Sequence, residues 1–361
     1  MNRRERLRRC YFHEEMDRPG VYSRTGFPED DPTYDRLKAY LAAHSELKRG
    51  WHPPIIREPT VRAEVHTEPI SADFEREITV LHTPAGEFRA SRFLSLRGQP
   101  ELPETHFIKD RRDAERWLSL PKPEVGGDVS SFFELDRRMG DAGIVDVGLG
   151  TNPAGYLNGM LGSETLAFMS ITDRDVVHEL CQRRMETLQE AIKYLLARGV
   201  GPFFGLSGHE LVAPPIHGPK DFWDFNVKYD RPLNDLIHDG GGRVHVHCHG
   251  RLALVFQGFL EMGVDVLHPV EPPPMGDLTA AQAKALAGDR LTIEGNIQIA
   301  HMYEHTPAEV RAETEALIRD AFADHRGLIV SPTASPYIRG AGEECFPMYR
   351  AMIDAVLAQA S

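Results

Sequence analysis

The 361-residue sequence predicts an α/β protein built as a (β/α)8 TIM barrel with an N-terminal β-rich excursion. Short apolar runs alternate with helical stretches from about residue 143 onward, which is typical of parallel sheets with crossover helices. Polar side chains follow nearly every apolar run. A closed barrel gathers all of these strand ends at one face, whereas an open doubly wound sheet does not. The pattern therefore favours the barrel over the open sheet.

Six apolar runs are the predicted strands of the regular part of the barrel. They lie at 144–148, 202–206, 244–248, 264–267, 291–293 and 328–330. Val21-Tyr22 predicts a further strand after a short polar helix at about 3–16. An eighth strand is expected within residues 27–125, where it would close the barrel.

Helices are expected between and after these strands. They lie near 164–198, 219–238, 251–262, 279–288, 306–323 and 346–358. Residues 27–125 are rich in proline and charge, and we interpret them as the β-rich excursion. One hairpin is expected there, with arms at 78–82 and 88–90 around a Pro84-Ala85-Gly86 turn. The sequence assigns no role to this region.

Composition and charge exclude several classes of protein. The net charge of −13 argues against a nucleic-acid surface, and no apolar stretch approaches the roughly 18 residues of a membrane span. The four cysteines are scattered without a C-x-x-C pair, which suits a reducing compartment. Five arginines among the first nine residues are interleaved with Glu5, so we expect a solvated helix and not a signal peptide. The sequence therefore predicts a cytoplasmic protein of one domain over residues 1–361, with a homodimer as one alternative.

The most informative segment is Arg243-Val244-His245-Val246-His247-Cys248-His249-Gly250. In an extended strand, alternate side chains share a face, so the three histidines lie together and Cys248 lies opposite. Buried imidazoles are costly without partners, which makes this segment the best candidate for the chemistry. His245 lies deepest in the strand, and we expect it to be part of the core.

A metal site is one interpretation of this segment. Glu271 follows the next strand, and two imidazoles with a carboxylate are good zinc ligands. His247, His249 and Glu271 are therefore the predicted metal ligands. The alternatives are that these rings fill the barrel with hydrogen bonds to neighbours, or that they bind a substrate carboxylate.

Other polar residues follow the remaining strands. Glu210 is predicted to handle protons, together with His249 and Glu271 as the catalytic set. Substrate-binding roles are predicted for Arg24, Asn152, Asn296, Gln298 and Tyr337. Each of these segments is also compatible with a structural turn. The sequence contains no G-x-x-x-x-G-K-[ST], G-x-G-x-x-G or G-x-S-x-G motif, so nucleotide binding and a hydrolase elbow have no support.

Several segments resemble the uroporphyrinogen decarboxylase superfamily. They are RRERLRRCYFHEEMDRPG at 3–20, IHDGGGRVHVHCHGR, LEMGVDVLHPVEPP, GDRLTIEGNIQ, TPAEVRAETEALI and GLIVSPTASPY. The resemblance covers the N-terminus and most of the chain from residue 140, and it implies a (β/α)8 barrel. The superfamily includes the decarboxylase and corrinoid-linked methyltransferases.

The two branches of the superfamily imply different residues. The metal-free decarboxylase binds substrate carboxylates with an R-Q-A-G-R loop. Here residues 24–28 correspond to that loop, and they keep Arg24 but lack the second arginine. The thiol-using methyltransferases hold zinc with H-x-C and a later cysteine. Here His249 stands in place of the first cysteine, and the later position falls near Ala334.

The resemblance lies nearer the methyltransferase branch. It implies an enzyme that moves a methyl group between a small substrate or thiol and a corrinoid. The chain has no D-x-H-x-x-G cobalamin motif, so the corrinoid is expected on a partner protein, with no covalently bound cofactor here. The first alternative is a metal-free decarboxylase of a porphyrin-like or aromatic acid. The second is a non-catalytic barrel that binds a ligand.

Overall fold

A computed structural model describes residues 1–24, 26–28, 30–96 and 101–360. Thr25, in the segment compared with the carboxylate-binding loop, lies outside the described residues. The strands are β1 (Gly20–Val21), β2 (Leu47–Trp51), β3 (Ile56–Arg57), β4 (Arg62–Pro69), β5 (Phe74–Thr83), β6 (Gly86–Ser95), β7 (Leu102–Thr105), β8 (Glu124–Val125), β9 (Gly143–Thr151), β10 (Phe203–Ser207), β11 (Arg243–His247), β12 (Val266–His268), β13 (Thr292–Ile297) and β14 (Leu328–Pro332).

The α-helices are α1 (Arg3–Tyr11), α2 (Asp35–His44), α3 (Arg111–Leu118), α4 (Ser130–Met139), α5 (Pro153–Leu161), α6 (Ser163–Thr172), α7 (Arg174–Leu196), α8 (Pro219–Asp221), α9 (Lys228–Asp239), α10 (Phe256–Glu261), α11 (Ala280–Ala287), α12 (His301–Glu304), α13 (Pro307–Ala321) and α14 (Gly342–Leu357). A π-helical segment, Phe222–Val227, joins α8 to α9. Among the described residues, none of the helices is both long and apolar enough to cross a membrane.

Eight parallel strands form one curled sheet, which confirms the predicted barrel class. Their order is β1-β14-β13-β12-β11-β10-β9-β2. The backbone N–H of Glu46 donates to the Val21 carbonyl across 2.9 Å, which links the first and last strands of this order. The eighth strand is β2, which lies within residues 27–125 as expected. The sequence alone did not give its bounds. Its sequence, LKRGW, has two cationic residues and a glycine between Leu47 and Trp51, so it lacks the usual apolar signal.

The region before β9 contains the predicted β-rich excursion. β4 to β7 form a four-stranded antiparallel sheet, and the predicted hairpin is confirmed as β5 and β6. The buried Phe88 ring meets the Trp117 ring of α3 at 5.3 Å, which fixes the sheet to the barrel's outer layer. The excursion is less extensive than expected, because α2, β2 and α3 also lie within residues 27–125.

Helix α1 closes the amino-terminal end of the barrel. The buried Tyr11 ring packs edge-on against Phe203, at the first position of β10, with ring centroids 5.0 Å apart. Thr292, at the start of β13, donates its hydroxyl to the Cys10 carbonyl across 2.6 Å. Because this end is plugged, access to the barrel interior is left at the carboxyl ends of the strands.

Two helix predictions differ from the structure. The expected helix at 164–198 is two helices, α6 and α7, which are separated at Asp173. The helix expected at 251–262 is restricted to α10, and α5 was not predicted at all. The break at Asp173 has no glycine or proline beside it, whereas Gly250 and Gly263 interrupt the pattern on either side of α10 and Pro153 begins α5.

Candidate active site

A cavity of about 390 Å³ opens at the carboxyl ends of the barrel strands. Its volume lies at the low end of the range of small-molecule pockets, roughly 300–1,000 Å³. Its walls come from strands β2, β9, β10 and β11 and from the loops that follow β1, β2 and β14. They comprise Tyr22, Arg24, Gly26, Lys48, Gly50, His52, Asp146, Gly148, Gly150, Gly205, Leu206, Ser207, His245, His247 and Ser335.

A buried carboxylate, Glu294 of β13, lies beneath the cavity floor. The Tyr22 hydroxyl donates to one of its oxygens, and His245 Nε2 lies 3.1 Å from the other. Lys48 Nζ stands 4.0 Å from Glu294 and 3.4 Å from Asp146. Titratable groups from β2, β9, β11, β13 and the residue after β1 therefore lie together, because alternate strands of such a barrel contribute inward side chains to one layer.

Electrostatics fixes the charge of this cluster. Full burial opposes ionisation of Glu294, but the charges of Lys48 and His245 outweigh burial and hold the pKa of Glu294 well below its usual range. Burial, with the neighbouring Glu294 carboxylate, raises the pKa of the Tyr22 phenol well above its usual value. The floor thus presents an anion, a neutral phenol and a lysine at neutral pH. Asp146 Oδ1 is buried, and no hydrogen-bond partner for it lies among the described residues.

An arginine and two imidazoles form the upper wall. Arg24 Nη1 lies 2.9 Å from His268 Nδ1 and 3.0 Å from His247 Nδ1. His268 Nε2 faces the Pro332 carbonyl at 3.2 Å, so that nitrogen carries the proton and Nδ1 accepts. Burial, with Arg24 beside it, lowers the pKa of His247 to about 2, and His268 is likewise held neutral. Arg24, predicted to bind substrate, is thus partly engaged by the protein.

Glycines create the space inside the barrel. A Cβ placed on Gly148 would lie 2.3 Å from the His52 ring, and one on Gly205 would lie 3.0 Å from the Asp146 carboxylate. Gly50 faces the same region, with His52 at 3.3 Å from its added Cβ. These strand positions would otherwise fill the barrel with side chains, as inward residues of such barrels usually do.

Gly148→Val is expected to lower substrate turnover by about 10²-fold, because the new side chain pushes His52 out of the cavity wall. Steady-state kinetics measures this loss, with whichever methylated compound the cob(I)alamin assay under Proposed function shows to react. Unfolding in urea is expected to change little, because His52 is exposed and can rotate away. The matched control is Gly159→Ala on α5, where an added Cβ meets nothing within 4 Å. Unchanged turnover in Gly148→Val would show that substrate does not use this space.

The predicted catalytic and metal residues lie at the edge of this arrangement. His249 Nδ1 pairs with Glu271 at 3.3 Å, and Glu271 also accepts from the Gly250 N–H at 3.0 Å. The rings of His247 and His249 meet edge-on at 4.7 Å. None of His249, Glu271 and Glu210 lines the cavity, and Glu210 lies in the turn after β10.

These residues do not make a convergent zinc site as they stand. His247 Nδ1 is in contact with the Arg24 guanidinium, whose charge opposes a second cation. Among the described residues, the ligand atoms of a single His/Glu trio converge within 4.8 Å, and that trio does not include His247, His249 or Glu271. Zinc held by His247, His249 and Glu271 stays a prediction, and no step proposed below passes through it.

Asn152, predicted to bind substrate, is placed away from the cavity. Its side chain is fully buried, caps α5 by accepting from Gly155 N, and donates to Asn226 and Asp230 at 2.7 Å each. Asp230 also pairs with the buried His209 at 2.7 Å. The group joins the end of β9 to α9, so its contacts are those of a structural residue.

Asn152→Ala is expected to lower the free energy of unfolding by on the order of 3 kcal/mol, because a cap is lost and two buried acceptors lose a donor. Urea denaturation measures this change. Asn158→Ala is the matched control, since that side chain makes one hydrogen bond to Ser163 near the surface. A fall in turnover with unchanged stability would instead support the substrate-binding role.

Asn296 and Gln298 lie at the end of β13 and beyond it. Asn296 has a left-handed backbone at φ 83°, and both polar atoms of its side chain are buried without a hydrogen-bond partner among the described residues. Such orphaned groups are rare, and a bound ligand or water is the usual explanation. Gln298 accepts from Thr333 at 3.4 Å, and its amide nitrogen is equally unpartnered within the described residues. Tyr337 lies on the exposed rim, with its ring 6.0 Å from Tyr303.

Sequence reasoning missed the charged residues at the cavity floor. Lys48, Asp146 and Glu294 were not selected, and His245, expected to belong to the core, also lines the cavity. A signal existed for two of them, because Asp146 and Glu294 each interrupt an apolar strand. A charge inside a buried strand is costly unless partners or function compensate. Lys48 carried no such signal, since β2 itself was not recognised.

Comparison with known proteins identifies relatives of the chain. The sequence model of the family described as uroporphyrinogen decarboxylase (URO-D) matches residues 147–336. A solved methyltransferase from Methanosarcina mazei superposes with a TM-score of 0.62 at 12% identity, covering 98% of this chain and 99% of that chain. No curated protein matches the sequence.

Other solved structures are more distant. An L-ribulose 3-epimerase superposes with a TM-score of 0.41 at 14% identity, covering 71% of this chain and 92% of that one. For the Bacillus subtilis mannanase BCman the TM-score is 0.43 at 12% identity, with 95% and 88% covered. At these identities, the structural likeness extends to the fold alone.

Proposed function

Because this chain belongs to the uroporphyrinogen decarboxylase family, we propose that it is an enzyme whose reaction takes place at the carboxyl ends of the barrel strands. The proposed reaction is transfer of a methyl group between a small substrate or thiol and a corrinoid on a partner protein. The corrinoid is written here as a second substrate, and it would supply or accept the methyl group. The similar fold of the Methanosarcina mazei methyltransferase supports this choice within the family.

The observation that carries the proposal is the charge balance of a small cavity. Two carboxylates, Asp146 and Glu294, face Lys48, and Arg24 is engaged by His247 and His268. A porphyrin-like polyacid needs several free cations and more room than about 390 Å³. A small substrate with one heteroatom to be activated suits this cavity better.

Lys48 is the proposed proton donor. In the transfer, the carbon–heteroatom bond of the methylated substrate breaks while the acceptor forms a bond to the methyl carbon. The departing heteroatom keeps the electron pair and takes a proton from Lys48, whose ammonium also stabilises the developing charge. For transfer to a thiol, the step runs in reverse, and Lys48 in its neutral amine form would take the proton that the thiol releases.

Glu294 is proposed to position the donor from below the floor. It fixes Tyr22 and His245 by hydrogen bonds, and its charge keeps Lys48 directed to the cavity. Asp146 Oδ1 has no partner among the described residues, so it is free to accept from a substrate N–H or O–H. Asn296 offers both polar atoms of its side chain and Gln298 offers its amide nitrogen, but neither residue lines the cavity, so their substrate-binding role stays a prediction.

The catalytic roles that the sequence predicts for Glu210, His249 and Glu271 are also part of the proposal. Single alanine substitutions at Glu210 and His249 test them. None of the three lines the cavity, so a catalytic role for them would act from outside its wall. Retained turnover in both variants would remove them from the mechanism.

The proposal is tested with the full chain and free cob(I)alamin. Small O-methyl, N-methyl and S-methyl compounds are offered singly, and loss of the cob(I)alamin absorbance reports methylation. Carbon dioxide release from uroporphyrinogen and from aromatic acids is measured in parallel. Methylation that depends on Lys48 supports the proposal, and carbon dioxide release without methylation would replace it with the decarboxylase alternative. Binding without either reaction would leave the non-catalytic barrel.

A further inference from the structure

Three potential metal ligands converge at the junction of α12 and α13, outside the cavity described above. They are His301, His305 and Glu313, and their ligand atoms all lie within 4.8 Å of one another. His301 Nδ1 is 2.9 Å from a Glu313 oxygen. The two imidazole rings stack with centroids 3.9 Å apart and an interplanar angle of 12°. None of these residues has a part in the proposed reaction.

One polar atom of His305 is unsatisfied within the described part of the chain. Its Nδ1 is buried, and no hydrogen-bond partner for it lies among the described residues. The ring therefore stacks on His301 without satisfying its own polar atom. Buried polar groups of this kind are normally paired with protein, water or an ion.

We propose that His301, His305 and Glu313 bind one zinc-class divalent cation. Two imidazole nitrogens and one carboxylate oxygen are ligands that zinc prefers, and three protein ligands leave one position open. Tetrahedral zinc at its usual bond lengths separates two ligand atoms by about 3.3 Å. A small opening of the 2.9 Å contact between His301 and Glu313 would admit the ion.

The ligands are held on rigid elements. Met302, between the two histidines, is fully buried, and the Tyr303 hydroxyl lies 3.1 Å from that of Tyr34. Thr306 and Glu309 form a capping box that fixes the start of α13. Sites whose ligands are already placed bind metal without a large ordering cost.

Local charge also favours a cation. Glu304 and Glu309 lie close by in sequence and Glu313 is itself a ligand, while the nearest arginine, Arg311, pairs with Glu315 at 3.4 Å. The His301 and Glu313 side chains are 29% and 26% exposed, so an ion can reach them from solvent. This setting contrasts with His247, whose neighbour is a guanidinium.

The test is titration of the tag-free, chelator-stripped full chain with Co²⁺ and then Zn²⁺. Co²⁺ gives visible absorption bands when imidazole and carboxylate bind it, and Zn²⁺ should displace it at one equivalent per chain. His301→Ala, His305→Ala and Glu313→Gln are each expected to weaken binding by more than the roughly 10- to 100-fold typical of losing an outer-shell partner. Asp320→Asn, near the other end of the same helix, is the matched control, because its exposed carboxylate pairs with Arg319 and leaves the Arg311–Glu315 pair intact, so this variant should bind like the unmodified chain.

Variants at His247 and His249 separate this site from the zinc prediction made for the barrel. Binding that persists in His247→Ala and His249→Ala but is lost in His305→Ala supports the α12–α13 site. Absence of Co²⁺ bands in the unmodified chain, or binding lost only in the His247 and His249 variants, overturns it. Circular dichroism of each stripped variant confirms that its fold is intact.

Discussion

Lys48→Met is expected to lower kcat for methyl transfer by about 10²- to 10⁴-fold, the usual contribution of a positioned proton donor. The Lys48 side chain is 9% exposed and lies between two carboxylates, so no neighbour can replace its proton. The cob(I)alamin assay measures this change directly. KM is expected to change much less than kcat, because the proton transfer belongs to the transition state.

Controls separate chemistry from damage to the fold. Lys38→Met on the half-exposed face of α2 removes the same charge near the surface, where Lys38 pairs with Asp35 at 3.6 Å. Lys48→Arg keeps the charge and should retain the fold. Equal activity in Lys48→Met and the unmodified chain would remove Lys48 from the mechanism.

Glu46→Ala is expected to lower the free energy of unfolding by about 3–5 kcal/mol, as breaking a buried ion pair does. Glu46 is fully buried and bonds Arg6 and Arg18 at 2.7 Å each. It also accepts from the Val21 N–H at 2.7 Å. The substitution would leave two buried guanidinium groups without this carboxylate and open the contact between β1 and β2.

Urea denaturation measures the effect of Glu46→Ala as a shift in midpoint at unchanged slope. Glu343→Ala is the matched control, because its pair with Arg36 is more than half exposed and such pairs contribute little. Glu46→Gln should fall between the two, since the amide oxygen still accepts hydrogen bonds. A midpoint equal to that of the control would show that the Arg6 and Arg18 contacts do not stabilise the barrel.

The fold was largely predictable from the sequence because its strands are buried on both faces. Short apolar runs mark β9 to β14 even where Asp146, His245 or Glu294 interrupts them, and the structure confirms each run as a barrel strand. Strand β2 was not recognised from the sequence, because its cavity-facing positions are Lys48 and Gly50 and not apolar residues. The N-terminal segment that resembles the family has a structural role, because its residues Arg6, Asp17 and Arg18 form one hydrogen-bonded network with Glu46.

The candidate site was predicted only in part. The position of a residue after a strand places it at the correct end of the barrel, and Arg24 and His247 do line the cavity. The position of a residue after a strand does not reveal where its side chain points. Lys48 points into the cavity, whereas Asn152 points back toward the helices. That choice depends on partners far away in sequence, such as Asp230, which local patterns do not contain.

The two strands next to β1, which are β2 and β14, are synthesised at very different times. Glu46 reaches Val21 soon after both leave the ribosome, whereas Ile329, the partner of Gly20 in β14, follows about 300 residues later. At about 5–20 residues per second, the free edge of β1 waits on the order of 15–60 s for its strand. The nascent chain is therefore expected to hold an incomplete ring until β14 has been synthesised. The cavity is complete only after that strand has joined β1.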